Sequence, residues 1–308
     1  MTTYLQRLLF LLSSVWVAGS LLAQDPADPR NPAGTPNPNE PAADKSDKAT
    51  PKELGKPLAA WPTLAAADRD RAISIVGQFK KDDAALKEAA RKDLLAMGAS
   101  AAPALFQKVS DAEKDLPIND EIYLVFDAML TTEHRNLMAE QAKKKKLELR
   151  KYLLRRLCEM ADPELKEAFV PFCKDPDSQT AFYANLGLAA LKDKAALLSV
   201  LETTRTDWAD HCPMVSKVLP AARSNECALV VAEFIAGKPS PVQAAGLRLM
   251  RYVATDGERM VVKSYLSAED HNVKKEAVNA LRVMSGQAPL ENLSAFDTIG
   301  MAKEWLTK

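Results

Sequence analysis

The chain has 308 residues, with 41 Lys and Arg balancing 41 Asp and Glu. That balance excludes a global field able to draw in nucleic acid or an acidic membrane surface. Aromatics make up only 6%, and Ala, Leu, Lys and Glu dominate, a mixture that favours helix over sheet.

Taken in chain order, residues 1–23 have the layout of a signal peptide. Arg7 supplies the positive start, Leu8 to Leu22 an apolar run of 15 residues, and Ala23 with Leu21 the cleavage point. A run of that length falls short of the roughly 20 residues that span a bilayer, so the reading is cleavage and export with no integral span left behind. No Cys follows the run, so a lipid anchor is not indicated. Residues 24–60 read as a disordered linker. Pro26, Pro29, Pro32, Pro36, Pro38, Pro41, Pro51 and Pro57 recur among polar residues, and Leu54 and Leu58 are the only large aliphatics. Such a segment buries too little apolar surface to offset its ordering entropy.

Residues 61–308 are expected to be all-α. From Leu86 onward the chain overlays itself at a step of 31 residues, with one step of 32, from the origins Leu86, Ile118, Leu149, Thr180, His211, Val242 and Val273. Four residues past each origin stand Ala90, Ile122, Leu153, Ala184, Val215, Gly246 and Ala277; eight past stand Leu94, Phe126, Leu157, Leu188, Leu219, Met250 and Leu281. With Met97, Met129, Met160, Leu191, Ala222, Val253 and Met284 at offset 11, these columns mark one face of a helix. A second helix follows, with Phe106, Met138, Phe169, Val200, Val231, Val262 and Leu293 at offset 20 and a turn near offset 13. Two short helices cannot bury their apolar faces alone, so about seven hairpins must stack into a solenoid. Between Thr132 and Met160 the register needs a turn near Lys143 to Lys146, where neither Gly nor Pro stands, so one long helix is the rival there. Terminal caps are expected at Leu64 to Phe79 and at Asp297 to Leu306, the latter with Ile299, Ala302 and Trp305 inward.

The stretches "LLAMGASAAPALFQKV", Asp177 to Val200 and "HNVKKEAVNALRVM" resemble HEAT repeats. The resemblance covers roughly residues 83–296 and is specific for architecture, not activity. It implies a right-handed superhelix whose second helices line the concave face. On that face stand Lys108, Glu140, Glu202 and Glu233 at offset 22 and Lys143, Lys174 and Arg205 at offset 25. Glu140 with Lys143, and Glu202 with Arg205, are spaced to pair on a helix surface.

Chemistry is sparse. Cys158 with Cys173, and Cys212 with Cys227, are placed too far apart in a hairpin for a bridge, so small buried thiols are expected. Asp210, His211 and Cys212 are adjacent and diverge around a helix, so no metal site is expected, and no cofactor motif is present. No GxSxG, HExxH or Gly-rich phosphate loop occurs. The expectation is a non-enzymatic exported scaffold that binds a protein partner, not nucleic acid, through its superhelical surface. The alternative is a ligand or enzyme pocket near Trp208, Asp210 and His211. Oligomeric state stays open.

Overall fold

The computed structural model describes residues 55–307; the expected signal peptide and residues 24–54 of the expected linker lie outside them. Among the described residues there are helices and turns and no strand. The first helices of successive hairpins are α2 (Ala84–Ala96), α4 (Leu116–Met129), α6 (Leu147–Cys158), α8 (Ser178–Ala190), α10 (Trp208–Val218), α12 (Ser240–Val253) and α14 (His271–Met284). Their partners are α3 (Ala102–Phe106), α5 (Arg135–Ala142), α7 (Lys166–Phe169), α9 (Lys194–Thr206), α11 (Asn225–Ile235), α13 (Arg259–Ser264) and α15 (Ala295–Thr307), while α1 (Ala66–Val76) precedes the first pair. Seven hairpins therefore form an α-solenoid in the 31-residue register. α2 packs on α4, α6 on α8 and α12 on α14 along the stack.

All seven residues at offset 4 and all seven at offset 8 are buried. These two columns are the spine of the core, each large aliphatic contributing about 1.5–3 kcal/mol of burial. The origin column differs. Leu86 is exposed and Ile118, His211 and Val242 are only half-buried, whereas Leu149, Thr180 and Val273 are buried. The small residues of offset 4 mark close approach: a methyl on Gly246 would strike Ile235 of α11.

Capping explains where each hairpin turns. Offset 13 is occupied by Thr131, Asp162, Asp193, Ser224 and Thr255 in five consecutive units. Each of these stands before a helical turn, and the side chains of Asp162, Asp193, Ser224 and Thr255 accept backbone N–H groups there. One residue earlier the chain enters the left-handed region at Gly98, Ala161 and Lys192, which ends the preceding helix and leaves its last carbonyls capped. Leading helices start in the same way at Asp83, Asp177 and Asp270.

The uncertain turn exists. α5 ends at Ala142 and α6 begins at Leu147, so no long helix interrupts the register. Two expectations at the ends need correction. Residues 55–60, assigned to the disordered linker, are tied to the stack: the Leu58 N–H donates to the Glu133 carbonyl at 2.8 Å, and the Gly55 carbonyl accepts from Arg135 at 2.7 Å. In α15 the inward residues are Thr298, Ala302 and Trp305, and Ile299 is exposed. One residue is a rotation of about 100° on a helix, enough to move Ile299 off the buried face.

Candidate functional site

The second helices are much shorter in units one and three than sequence periodicity suggests, and this breaks up the expected concave row. Lys108, Lys143 and Lys174 fall in turns after α3, α5 and α7, whereas Glu140, Glu202, Arg205 and Glu233 stand on helices. All seven are exposed. The two spaced pairs form, Lys143 to Glu140 at 2.6 Å and Arg205 to Glu202 at 3.1 Å. At this exposure each contributes only a few tenths of a kcal/mol, so the pairs keep the surface neutral and do not shape a groove of one sign.

Beside these charges lies an apolar feature that the buried columns do not include. Leu198, Leu229 and Met260 occupy the same offset, 18, in units four, five and six. Met260 is 72% and Leu229 41% exposed, and Leu198 is half-buried. Glu202, Glu233 and Ser264 follow four residues later on the same side of α9, α11 and α13. The result is an apolar row edged with acids, stepping from helix to helix at the roughly 10 Å spacing of packed helices. Its signal was available as a column of large apolar residues at an offset the buried face does not use.

The residues of the alternative pocket are not drawn together. Trp208 opens α10 with its indole beneath two guanidiniums, Arg248 and Arg251, each 5.5 Å from the ring. His211 turns instead onto Phe182, ring centres 4.0 Å apart, and burial lowers its pKa against the pull of Asp207 and Asp210. Asp210 is exposed. A depression of about 520 Å³ lies far from Trp208, lined by Phe79, Lys81, Lys114 and Ile118 among others.

What gathers around Trp208 is a clamp. Arg251 is fully buried. It donates to Glu276 of α14 and, at 2.8 Å, to Glu291 of the segment leading into α15. Arg248 reaches the same Glu276 at 3.2 Å. Burial works against the charge of Arg251, and the two carboxylates outweigh it. Asn279 completes the hold, exchanging hydrogen bonds with the backbone of Leu290 at 2.8 and 3.1 Å.

A matching clamp lies near the other end. Arg135, buried, pairs with buried Asp162 and donates to the carbonyls of Gly55 and Thr132 at 2.7 and 3.0 Å. Trp61 stacks on His134 at 5.5 Å and meets Phe106 edge-on at 5.4 Å. One clamp holds the segment that precedes α1, the other the long turn between α14 and α15.

The lysine run is not uniformly a solvated turn. Lys146 places Nζ 3.2, 2.6 and 2.7 Å from the carbonyls of Phe106, Gln107 and Val109. It thereby caps the end of α3, and burial lowers its pKa, with Asp111 opposing.

The four cysteines are unbridged, Cys158 and Cys227 buried, Cys173 and Cys212 half-buried. Burial pushes the thiols of Cys158, Cys173 and Cys212 up, away from nucleophilic character. Among the described residues no group of three His, Cys, Asp or Glu is placed to hold a metal ion, and no helix is long and apolar enough to cross a membrane.

No family model and no curated protein matches the chain. Among solved structures, the chain is similar to human deoxyhypusine hydroxylase in complex with glycerol at 14% identity and a TM-score of 0.32, over 78% of this chain and 97% of that one. It is also similar to an engineered protein at 15% identity and a TM-score of 0.30, over 72% and 99% of the two chains. Both scores lie below 0.5, so the architecture rests on the chain's own helices, which stack as an α-solenoid.

Proposed function

We propose that this chain is an exported, non-enzymatic scaffold of HEAT-like repeats that binds a protein partner through its second helices. The observation that carries the reading is the row Leu198, Leu229 and Met260. Three neighbouring units repeat a large apolar residue at one offset, exposed in two of them, which packing within the solenoid does not require. Exposed apolar residues with a polar edge, here Leu229 and Met260 beside half-buried Leu198, are the kind of surface that marks protein association. The occupant that fits is an amphipathic helix laid along the stack, its apolar side on the row and a basic side toward Glu233. Partner, export and lack of catalysis are parts of one reading, in which the N-terminal leader delivers the chain and the solenoid presents a surface.

The test is crosslinking capture of partners from the exported fraction with wild type, with Leu229→Glu plus Met260→Glu, and with Lys92→Ala on the leading-helix side. Loss of one captured protein in the double variant alone supports the reading. Equal capture by all three, or recovery of the wild type outside the exported fraction, overturns it.

A further inference from the structure

Between α1 and α12 the chain passes from one hairpin to the next six times, and stacking sets these connections side by side along one edge. Lys146 of the third connection reaches carbonyls of the second, and Arg150 beside it reaches Asp175 of the fourth at 3.1 Å. Each connection carries or adjoins a basic residue. The first two bring Lys80, Lys81 and Lys114 to the depression of about 520 Å³ over Phe79 and Ile118, with Asp82 and Asp115 among them. Lys108 stands in the second connection, and Lys144 and Lys145 in the third. Lys174 stands in the fourth and Lys238 in the sixth. All of these lysines are exposed, and none is ion-paired among the described residues. Only Lys143 and Arg205 are neutralised, each within its own helix, by Glu140 and Glu202.

Most acids of the same turns are held by the fold. Asp83 and Asp177 cap α2 and α8, Asp111 accepts the Glu148 N–H at 2.9 Å, and Asp175 takes Arg150. The opposite edge, where each hairpin turns, is different. There Lys194 pairs with Glu226 at 2.9 Å and Arg259 with Asp256 at 2.7 Å. At the roughly 10 Å spacing of packed helices, the row of lysines runs for roughly 50 Å. It stops at the connection before α14, which has Glu269 and Asp270 and no cation.

We propose that this edge binds an acidic polysaccharide, a linear chain whose repeated carboxylates meet the lysines of successive connections. The row is one turn wide, which suits a line of charge better than a membrane plane. No exposed aromatic ring and no unpaired arginine stands in it to stack on or read bases. A lysine ammonium on its flexible stem meets a carboxylate without demanding one geometry. Each exposed contact is weak alone, so affinity comes from the number of connections engaged at once. The choice of a polysaccharide rests on the export proposed above; the row of charge does not.

The experiment is fluorescence-anisotropy binding of end-labelled polygalacturonate to the purified chain at about 50 mM and about 300 mM NaCl. Saturable binding is expected at the lower salt, weakened about tenfold or more at the higher. A galacturonate trimer, too short to join several connections, should bind about tenfold or more weakly than the polymer. The variant Lys108→Glu, Lys144→Glu, Lys174→Glu should lose about tenfold or more in affinity. The variant Lys92→Glu, Lys166→Glu, Lys303→Glu makes the same change of net charge off the edge and should stay within about twofold. All six side chains are exposed, so both variants should keep wild-type helical circular dichroism. Protein and polymer are both purified, so the outcome is independent of the fraction in which the protein is found. No saturable binding at the lower salt, equal losses in the two variants, or tighter binding of single-stranded DNA or of phosphatidylglycerol vesicles overturns the proposal.

Discussion

Two buried arginines, one near each end of the stack, do the same task with different chemistry. Arg135 holds the strap before α1 using one buried carboxylate, two backbone carbonyls and, at 3.5 Å, the exposed Glu164. Arg251 holds the segment before α15 with Glu276 and Glu291, and packs its guanidinium on Trp208. The first is distributed over neutral acceptors that survive a single deletion. The second concentrates on Glu276, itself fully buried and shared with Arg248. Removing one partner of a buried pair leaves an uncompensated charge, so the concentrated clamp is the more brittle.

The largest effect should follow Glu276→Ala, a loss of about 3–5 kcal/mol in thermal or denaturant unfolding. Arg251→Met with Glu276→Leu should recover most of it, since neither charge then needs compensation. Asp162→Ala should cost less, about 2 kcal/mol, because Arg135 keeps its carbonyl acceptors. Equal losses in the two single variants would break the comparison.

A smaller effect separates the ends by pH. His134, beneath Trp61, has its pKa lowered from 6.5 by burial, against the backbone hydrogen bond at Thr131 and the charge of Glu133. A depressed pKa favours the neutral ring, so its stabilisation is complete above pH 6.5 and is lost as pH falls through the lower folded value. The protection of the Leu58 amide, measured against the intrinsic exchange rate at each pH, should therefore fall below pH 6.5 while that of the Leu290 amide, held by Asn279, does not. Protection falling equally at both would remove His134 from the account.

The smallest effect is a gain. Lys192 holds a left-handed conformation where unit one has Gly98, and Lys192→Gly should stabilise by about 0.5–1 kcal/mol in the same unfolding assay. Destabilisation would mean that its stem packs on α8 to an extent that outweighs backbone strain.

The repeat was legible because buried columns recur at fixed spacing, and the eye needs only apolar residues to find them. The caps at offset 13 were legible as turns. Arg251 and Glu276 were not, because a charged residue outside the apolar columns reads as surface until its partner, 25 positions away, is seen beside it. Lys146 was hidden in the same way, since a run of four lysines looks solvated whichever member turns inward. Ile299 was misplaced because near a helix end one residue of phase separates buried from exposed, and no following unit fixes the phase.

The contacts of Lys146 carry a consequence for how the chain comes apart. A linear array in which each unit touches only its neighbours unravels unit by unit. Here a side chain at the entrance of unit three grips the end of unit one. Lys217 of unit five likewise reaches Glu159 of unit three at 2.8 Å, and α9 of unit four packs directly on α12 of unit six. Stitches that skip a unit make the loss of any middle hairpin cost two interfaces and a tether. Under tension the solenoid should yield in a few large steps spanning several hairpins, behaving less as a string of beads than as a plied cord.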